Sequence, residues 1–169
     1  MSQTVEHIQD SLPPQISDAE RIFRKQKAAW MANPSPDYAT RVENLKQLEA
    51  ILVDNQDAIA DAISMDFGNR AVQESKLVEV FLPLDGLRYC RKHLRKWMKP
   101  QRRHTSFWFK PGSHRVLPPP TGGVGVTAPW NDPLFLAVGP LASALAAGNR
   151  CMVKMASNSQ KLGRLFAKL

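Results

Sequence analysis

From Pro118 to Leu169 the chain alternates short apolar runs with longer helical stretches, and this alternation limits the possible fold more than any other feature. Pro118-Pro119-Pro120 is a stiff connector. Val124 to Ala128 then predicts a strand, and Leu134 to Ala147 a helix stopped by Gly148. Cys151 to Val153 predicts a second strand, and Ser159 to Leu169 a last helix capped by Ser157 or Ser159. Strand, helix, strand, helix is the opening of a doubly wound parallel sheet, so the fold class is α/β. Two parallel strands leave that sheet incomplete, because such sheets are covered on both faces and hold about five or six strands.

The preceding residues read as helical. A flexible tail is expected over 1–17. A capping box of Ser17 and Glu20 then opens a helix from Asp18 to Met31, with Ile22, Phe23, Ala29 and Trp30 facing inward. Asn33-Pro34-Ser35-Pro36 breaks the chain. Val42, Leu45, Leu48 and Leu52 follow at helical spacing, and Asp54-Asn55 bends the stretch. Ala58, Ile59 and Ile63 carry the stripe to a stop at Gly68. A third helix is expected over about Glu74 to Met98, kinked by Pro83. Phe107-Trp108-Phe109 and Arg115-Val116-Leu117 flank Lys110 to Ser113 as a hairpin or a pair of extended arms. The resulting division is tail 1–17, helical region 18–100, arm and connector 101–120, and a partial dinucleotide-binding βαβα unit over 121–169.

Of 169 residues, 43% are hydrophobic, enough for one packed core. Two cysteines make no disulfide framework, which suits a reducing, cytoplasmic setting. The longest nearly apolar stretch, Leu134 to Ala147, is too short to cross a bilayer, and no metal site is read. Charge is divided unevenly. Residues 1–85 carry 8 Lys/Arg against 14 Asp/Glu, whereas residues 86–169 carry 15 against Asp132 alone. Either the basic half meets an anionic partner, or its balancing acidic surface lies on other polypeptide.

Gly123-x-Gly125-x-x-Ala128 matches a dinucleotide fingerprint as a bare pattern. Its glycines lie at the start of the strand rather than after it, so close backbone packing is the better account. Ala128-Pro129-Trp130-Asn131-Asp132-Pro133 stands at the carboxyl end of that strand, where open α/β sheets bind ligands. The same residues also suit a turn with Asn131 or Asp132 as N-cap and Pro133 at the first helical position. Lys154 ends the second strand at the same edge, either meeting an anionic or hydroxyl-rich ligand or pointing into water. Cys90 lies in a basic helix that would lower its pKa, and Cys151 reads as an inert core thiol.

Gly125 to Pro133, Gly139-Pro140-Leu141-Ala142, Ala146 to Arg150, and Lys154 together resemble the amino-terminal part of the aldehyde dehydrogenase superfamily. Asp66-Phe67-Gly68-Asn69-Arg70 and Lys96-Trp97-Met98-Lys99-Pro100 resemble its coniferyl aldehyde dehydrogenase branch. The resemblance implies oxidation of an aldehyde to an acid with NAD or NADP. In that family a cysteine thiolate attacks the carbonyl, hydride passes to the nicotinamide, and a glutamate-activated water releases the acid. By this resemblance Asn131 stabilises the oxyanion, Ala128, Pro129 and Trp130 line the cofactor cleft, and Lys154 binds the adenosine ribose. The arm resembles the family's oligomerisation element and implies a homo-oligomer.

This sequence departs from the family pattern in three respects, one being Gly123 where the family usually has a valine. The Lys-Pro-Ser-Glu signature reads Lys154-Met155-Ala156-Ser157, so Ser157 replaces the ribose-gripping glutamate and opens the way to NADP. Neither Cys90 nor Cys151 matches the nucleophile, so the chain alone is expected to be catalytically incomplete. The alternatives are a basic module for single-stranded nucleic acid, from ten Lys/Arg interleaved with aromatics between Arg88 and Arg115, or a non-catalytic assembly subunit.

Overall fold

A computed structural model describes residues 14–169. Helices α1 (Pro14–Ala32), α2 (Tyr38–Asp54) and α3 (Gln56–Phe67) come first, followed by a short α4 (Val72–Ser75). A π-helical segment, Lys76–Phe81, leads into α5 (Leu82–Trp97). Strands β1 (Gln101–Arg103) and β2 (His114–Val116) make the arm. Then β3 (Gly123–Thr127), α6 (Phe135–Ala146), β4 (Arg150–Lys154) and α7 (Gln160–Phe166) complete the chain.

The βαβα unit forms as the apolar pattern predicts. β3 and β4 pair in parallel, from Gly123 opposite Arg150 to Thr127 opposite Lys154. Gly148 ends the α6 region at φ 86°, a left-handed conformation that costs a residue without Cβ little. α6 covers one face of the pair and α1 lies against the same strands, with Trp30 over Gly122 and the Gln26 Nε2 donating to the Cys151 carbonyl at 2.8 Å.

The core runs through both halves of the chain. Leu45, Leu48 and Leu52 of α2, Ile59 and Ile63 of α3, and Leu84, Leu87 and Leu94 of α5 pack with Leu134, Val138 and Leu162. Each fully buried leucine or isoleucine contributes roughly 1.5–3 kcal/mol by leaving water. Asp37 caps α2 by accepting from the Thr40 amide at 2.8 Å, and Gly68 (φ 69°) stops α3 as expected.

Several expectations are corrected. α1 begins at Pro14, so Ser17 lies inside the helix and is not its N-cap; residues 1–13 of the expected tail lie outside the described residues. Ile22 and Phe23 are substantially exposed, because α1 meets only two strands. Ala58 is exposed, and Ala60 and Ala62 are buried in its stead. The Pro83 irregularity takes the form of a π turn. In an α-helix its ring would strike the carbonyl of Glu79, and the wider π segment relieves that clash.

The arm differs most. β1 pairs antiparallel with β2, Gln101 opposite Val116 and Arg103 opposite His114. Phe107-Trp108-Phe109 is therefore not a strand but a 3₁₀ turn at the tip, with Trp108 87% exposed. Finally, close packing does not explain Gly125, where a Cβ would meet open space.

Candidate functional site

Because β3 and β4 are parallel and in register, their carboxyl ends coincide, and the Ala128 amide donates to the Lys154 carbonyl at 3.0 Å. Ala128 is buried beneath that edge. Pro129, Trp130 and Asn131 leave β3 exposed, while Lys154 and Ser157 leave β4 exposed. Trp130, 61% exposed, borders a crevice of about 200 Å³ shared with Asp66, Phe67 and Asn158. Asn131 and Lys154 thus stand on neighbouring strand ends, and neither is sealed in the interior.

The loop carrying Asn131 is held from below. Glu79, fully buried in the π segment, accepts from the Leu134 and Phe135 amides at 2.9 and 3.0 Å through Oε2. It therefore closes the start of α6, the role expected of Asn131 or Asp132. Burial pushes the Glu79 carboxyl above its usual range; the two amides and Arg70 pull the other way without overcoming it. Arg70 donates to Glu79 Oε1 at 2.8 Å, to the Asn131 carbonyl at 3.2 Å and to Asp132 Oδ1 at 3.2 Å. Asp132 Oδ2 in turn accepts from Asn131 Nδ2 at 2.9 Å.

The expected serine cap of α7 is replaced too. Ser159 occupies the N-cap position without a side-chain bond, and its hydroxyl is buried without a partner. Asp66 instead accepts from the Lys161 and Leu162 amides at 3.1 and 3.0 Å. Both helix starts that follow a strand are thus closed by carboxylates of the helical region. This removes the pyrophosphate seat that the glycine fingerprint would need.

Sequence reasoning did not assign Arg70, Glu79 or Asp66 to the site. Two signals were available. One was a carboxylate inside the apolar run Val78-Glu79-Val80. The other was the Asp66–Arg70 block, whose two ends meet different helix starts.

The thiols lie elsewhere. Burial raises the pKa of both Cys90 and Cys151, overturning the expectation that basic neighbours lower it at Cys90. Cys90 belongs to the buried apolar core, where a thiolate would be poorly solvated. Cys151 is half-buried rather than core.

The residues at the carboxyl edge fit an anionic nucleotide cofactor. The Lys154 amine and Ser157 hydroxyl are exposed, Asp132 is ion-paired with Arg70, and the Asp66 carboxylate is occupied by α7 amides.

Elements and edge define an open α/β protein with exposed polar groups at one end of a parallel strand pair. The chain belongs to the aldehyde dehydrogenase family, whose model matches residues 2–169. It is 45% identical over 155 residues to the probable coniferyl aldehyde dehydrogenase of Pseudomonas aeruginosa, covering 92% of this chain and 33% of that protein. The substrate-bound state of Staphylococcus aureus AldH superposes with a TM-score of 0.84 at 26% identity, over 89% of this chain and 32% of that one. Succinic semialdehyde dehydrogenase from Streptococcus pyogenes, solved with NADP+, shares the fold at a TM-score of 0.78 and 21% identity, over 89% and 32% of the two chains. The chain spans about a third of the length of the relatives it matches.

Proposed function

We propose that the chain is the amino-terminal part of an NAD(P)+-dependent aldehyde dehydrogenase that oxidises an aldehyde, coniferyl or another aromatic one, to the carboxylic acid. The supporting observation is the exposure of the Asn131 amide and the Lys154 amine at one edge of a parallel strand pair. Asn131 serves as the N–H donor for the carbonyl oxygen as it gains negative charge, where a preorganised donor lowers the barrier. Pro129 and Trp130 line the cofactor cleft with the buried Ala128 as support beneath them, and Lys154 and Ser157 meet its ribose. When bound, the cofactor accepts the hydride. Ser157 adds no carboxylate to repel a 2′-phosphate, which favours NADP as an acceptor beside NAD.

Neither cysteine has the setting of a nucleophile, since burial disfavours both thiolates. The 169 residues alone therefore hold groups for binding and oxyanion contact but turn over no aldehyde. The test has two parts. Purified chain with coniferyl aldehyde and either cofactor gives no reduced nicotinamide. Amide NMR titration with NADP+ or NAD+ shifts Ala128, Trp130, Lys154 and Ser157. Turnover, or shifts confined to the opposite strand ends, would sink this reading.

The arm is assigned to assembly of a homo-oligomer. Its exposed Phe107, Trp108 and Phe109 tip is the observation that favours contact with another subunit. Trp108→Asp is expected to lower the mass seen by light scattering. An unchanged mass, with salt-sensitive retention of a labelled oligonucleotide, would favour the nucleic-acid reading. The free thiols suit the cytoplasm, and no helix of the described residues is long and apolar enough to cross a membrane.

A further inference from the structure

Asn131 is exposed and lies in neither helix nor strand, so nothing in regular secondary structure fixes its side chain. Its side-chain amide is bonded to Asp132, and one guanidinium meets both that carboxylate and the Asn131 carbonyl. The Arg70 side chain is only 10% exposed, and its Cζ lies 5.0 Å from the centre of the Phe67 ring. Its Nε donates to Glu74 at 3.2 Å, and its other nitrogens reach Glu79, the Asn131 carbonyl and Asp132. Four contacts from one planar group fix its orientation as well as its place.

Asp132 links this group to the Asn131 amide. One carboxylate oxygen accepts from Arg70 and the other from Asn131 Nδ2. A primary amide nitrogen has two N–H groups. One is engaged by Asp132, and the second remains for a ligand. Asp132 alone would be a poor neighbour for an oxyanion, because its charge would repel the one that develops. Arg70 offsets that charge in part, since its guanidinium also faces Glu74 and Glu79.

We infer that Arg70 is a positioning residue for Asn131, aiming its free N–H through the Asp132 bridge and the Asn131 carbonyl. The inference deepens the proposed function and rests on the reading of Asn131 as oxyanion donor.

The experiment uses the 169-residue chain labelled with ¹⁵N and follows the Asn131 side-chain NH₂ pair by NMR. In the wild type the two protons are expected to be well separated and the group ordered. Asp132→Ala and Arg70→Ala should bring both protons towards free-amide positions and raise their mobility, while the Leu52 and Ile63 amides stay in place. Arg70→Lys should restore order only in part, since an ammonium keeps the charge without the fork. Arg70→Ala leaves the buried Glu79 carboxylate unpaired, so the double variant Arg70→Ala with Glu79→Gln serves if the single one does not fold. Unchanged Asn131 side-chain signals in folded Asp132→Ala and in a folded Arg70 variant would overturn the inference. Failure of the oxyanion reading shows differently. In a chimera in which residues 1–169 replace the matching third of the Pseudomonas aeruginosa relative, Asn131→Ala would then leave kcat intact while the NMR result stands.

Discussion

The carboxylate of Asp66, at the end of α3, accepts from the Leu162 amide, 96 residues away, and closes the first turn of α7. A cap supplied from another helix does two things at once. It satisfies orphan amides and fixes the angle at which α7 meets α3, where Leu162 is fully buried. Losing a capping carboxylate costs about 0.5–2 kcal/mol. Asp66→Ala is therefore expected to lower unfolding free energy by about 1 kcal/mol in urea titrations. Asp66→Asn, which keeps an acceptor, should lose less. Equal stability of all three proteins would mean that the serines beside α7 do the capping.

Gly148 and Arg41 set a second constraint. Arg41 is buried and donates to the Pro36 carbonyl at 2.9 Å and the Ala146 carbonyl at 3.2 Å. Its charge lies at the carboxyl end of α6, where the helix dipole favours a cation. A Cβ on Gly148 would come within 2.7 Å of the Arg41 Cζ, and its backbone is already at φ 86°. Gly148→Ala thus meets both strain and a clash, and is expected to cost more than the ~1 kcal/mol of the backbone term alone. Thermal unfolding should show a clear drop in Tm, larger than for Gly125→Ala, whose Cβ would meet open space.

What could be read in advance follows from how local the cause is. β3, α6 and β4 came through within about a residue because apolar runs bounded by Pro, Gly and Asn need no distant information. The arm register was lost because strand propensity draws Phe107-Trp108-Phe109 into a ladder, whereas the pairing actually falls on Gln101 to Arg103. The two carboxylate caps were missed because their partners lie 55 and 96 residues away. Serine and asparagine stood at the right local positions to do the same work. The edge residues Asn131 and Lys154 were legible from pattern. The Arg70 bridge that holds one of them was not, since a salt bridge over 62 residues leaves no periodic trace.

Cys90 gives a chemical check on the burial argument. Its helix is basic, yet the thiol belongs to the buried core, and desolvation raises its pKa. Native protein at neutral pH is expected to react with a disulfide reagent more slowly at Cys90 than the same protein in urea. The half-buried Cys151 should follow the same order with a smaller contrast. Mass mapping of the labelled cysteines distinguishes the two. Rapid native labelling at Cys90 would show that the basic surface, not the core, controls that thiol.

Glu79 provides the pH dependence. Its folded pKa lies above that of the unfolded carboxyl, so the native state holds its proton more tightly and loses stability as that proton leaves. The contribution is fully present below the unfolded value of about 4.3 and fades as pH rises through the raised folded value. Glu79→Gln has no proton to lose there but retains an amide oxygen for the Leu134 and Phe135 amides. The stability of wild type relative to Glu79→Gln is therefore expected to fall as pH increases from about 4 upward and to level off once Glu79 is ionised. Urea midpoints measured across that range give the comparison. A difference that grows with pH would mean that Arg70 and the two amides outweigh desolvation, and that the ionised carboxylate strengthens the start of α6.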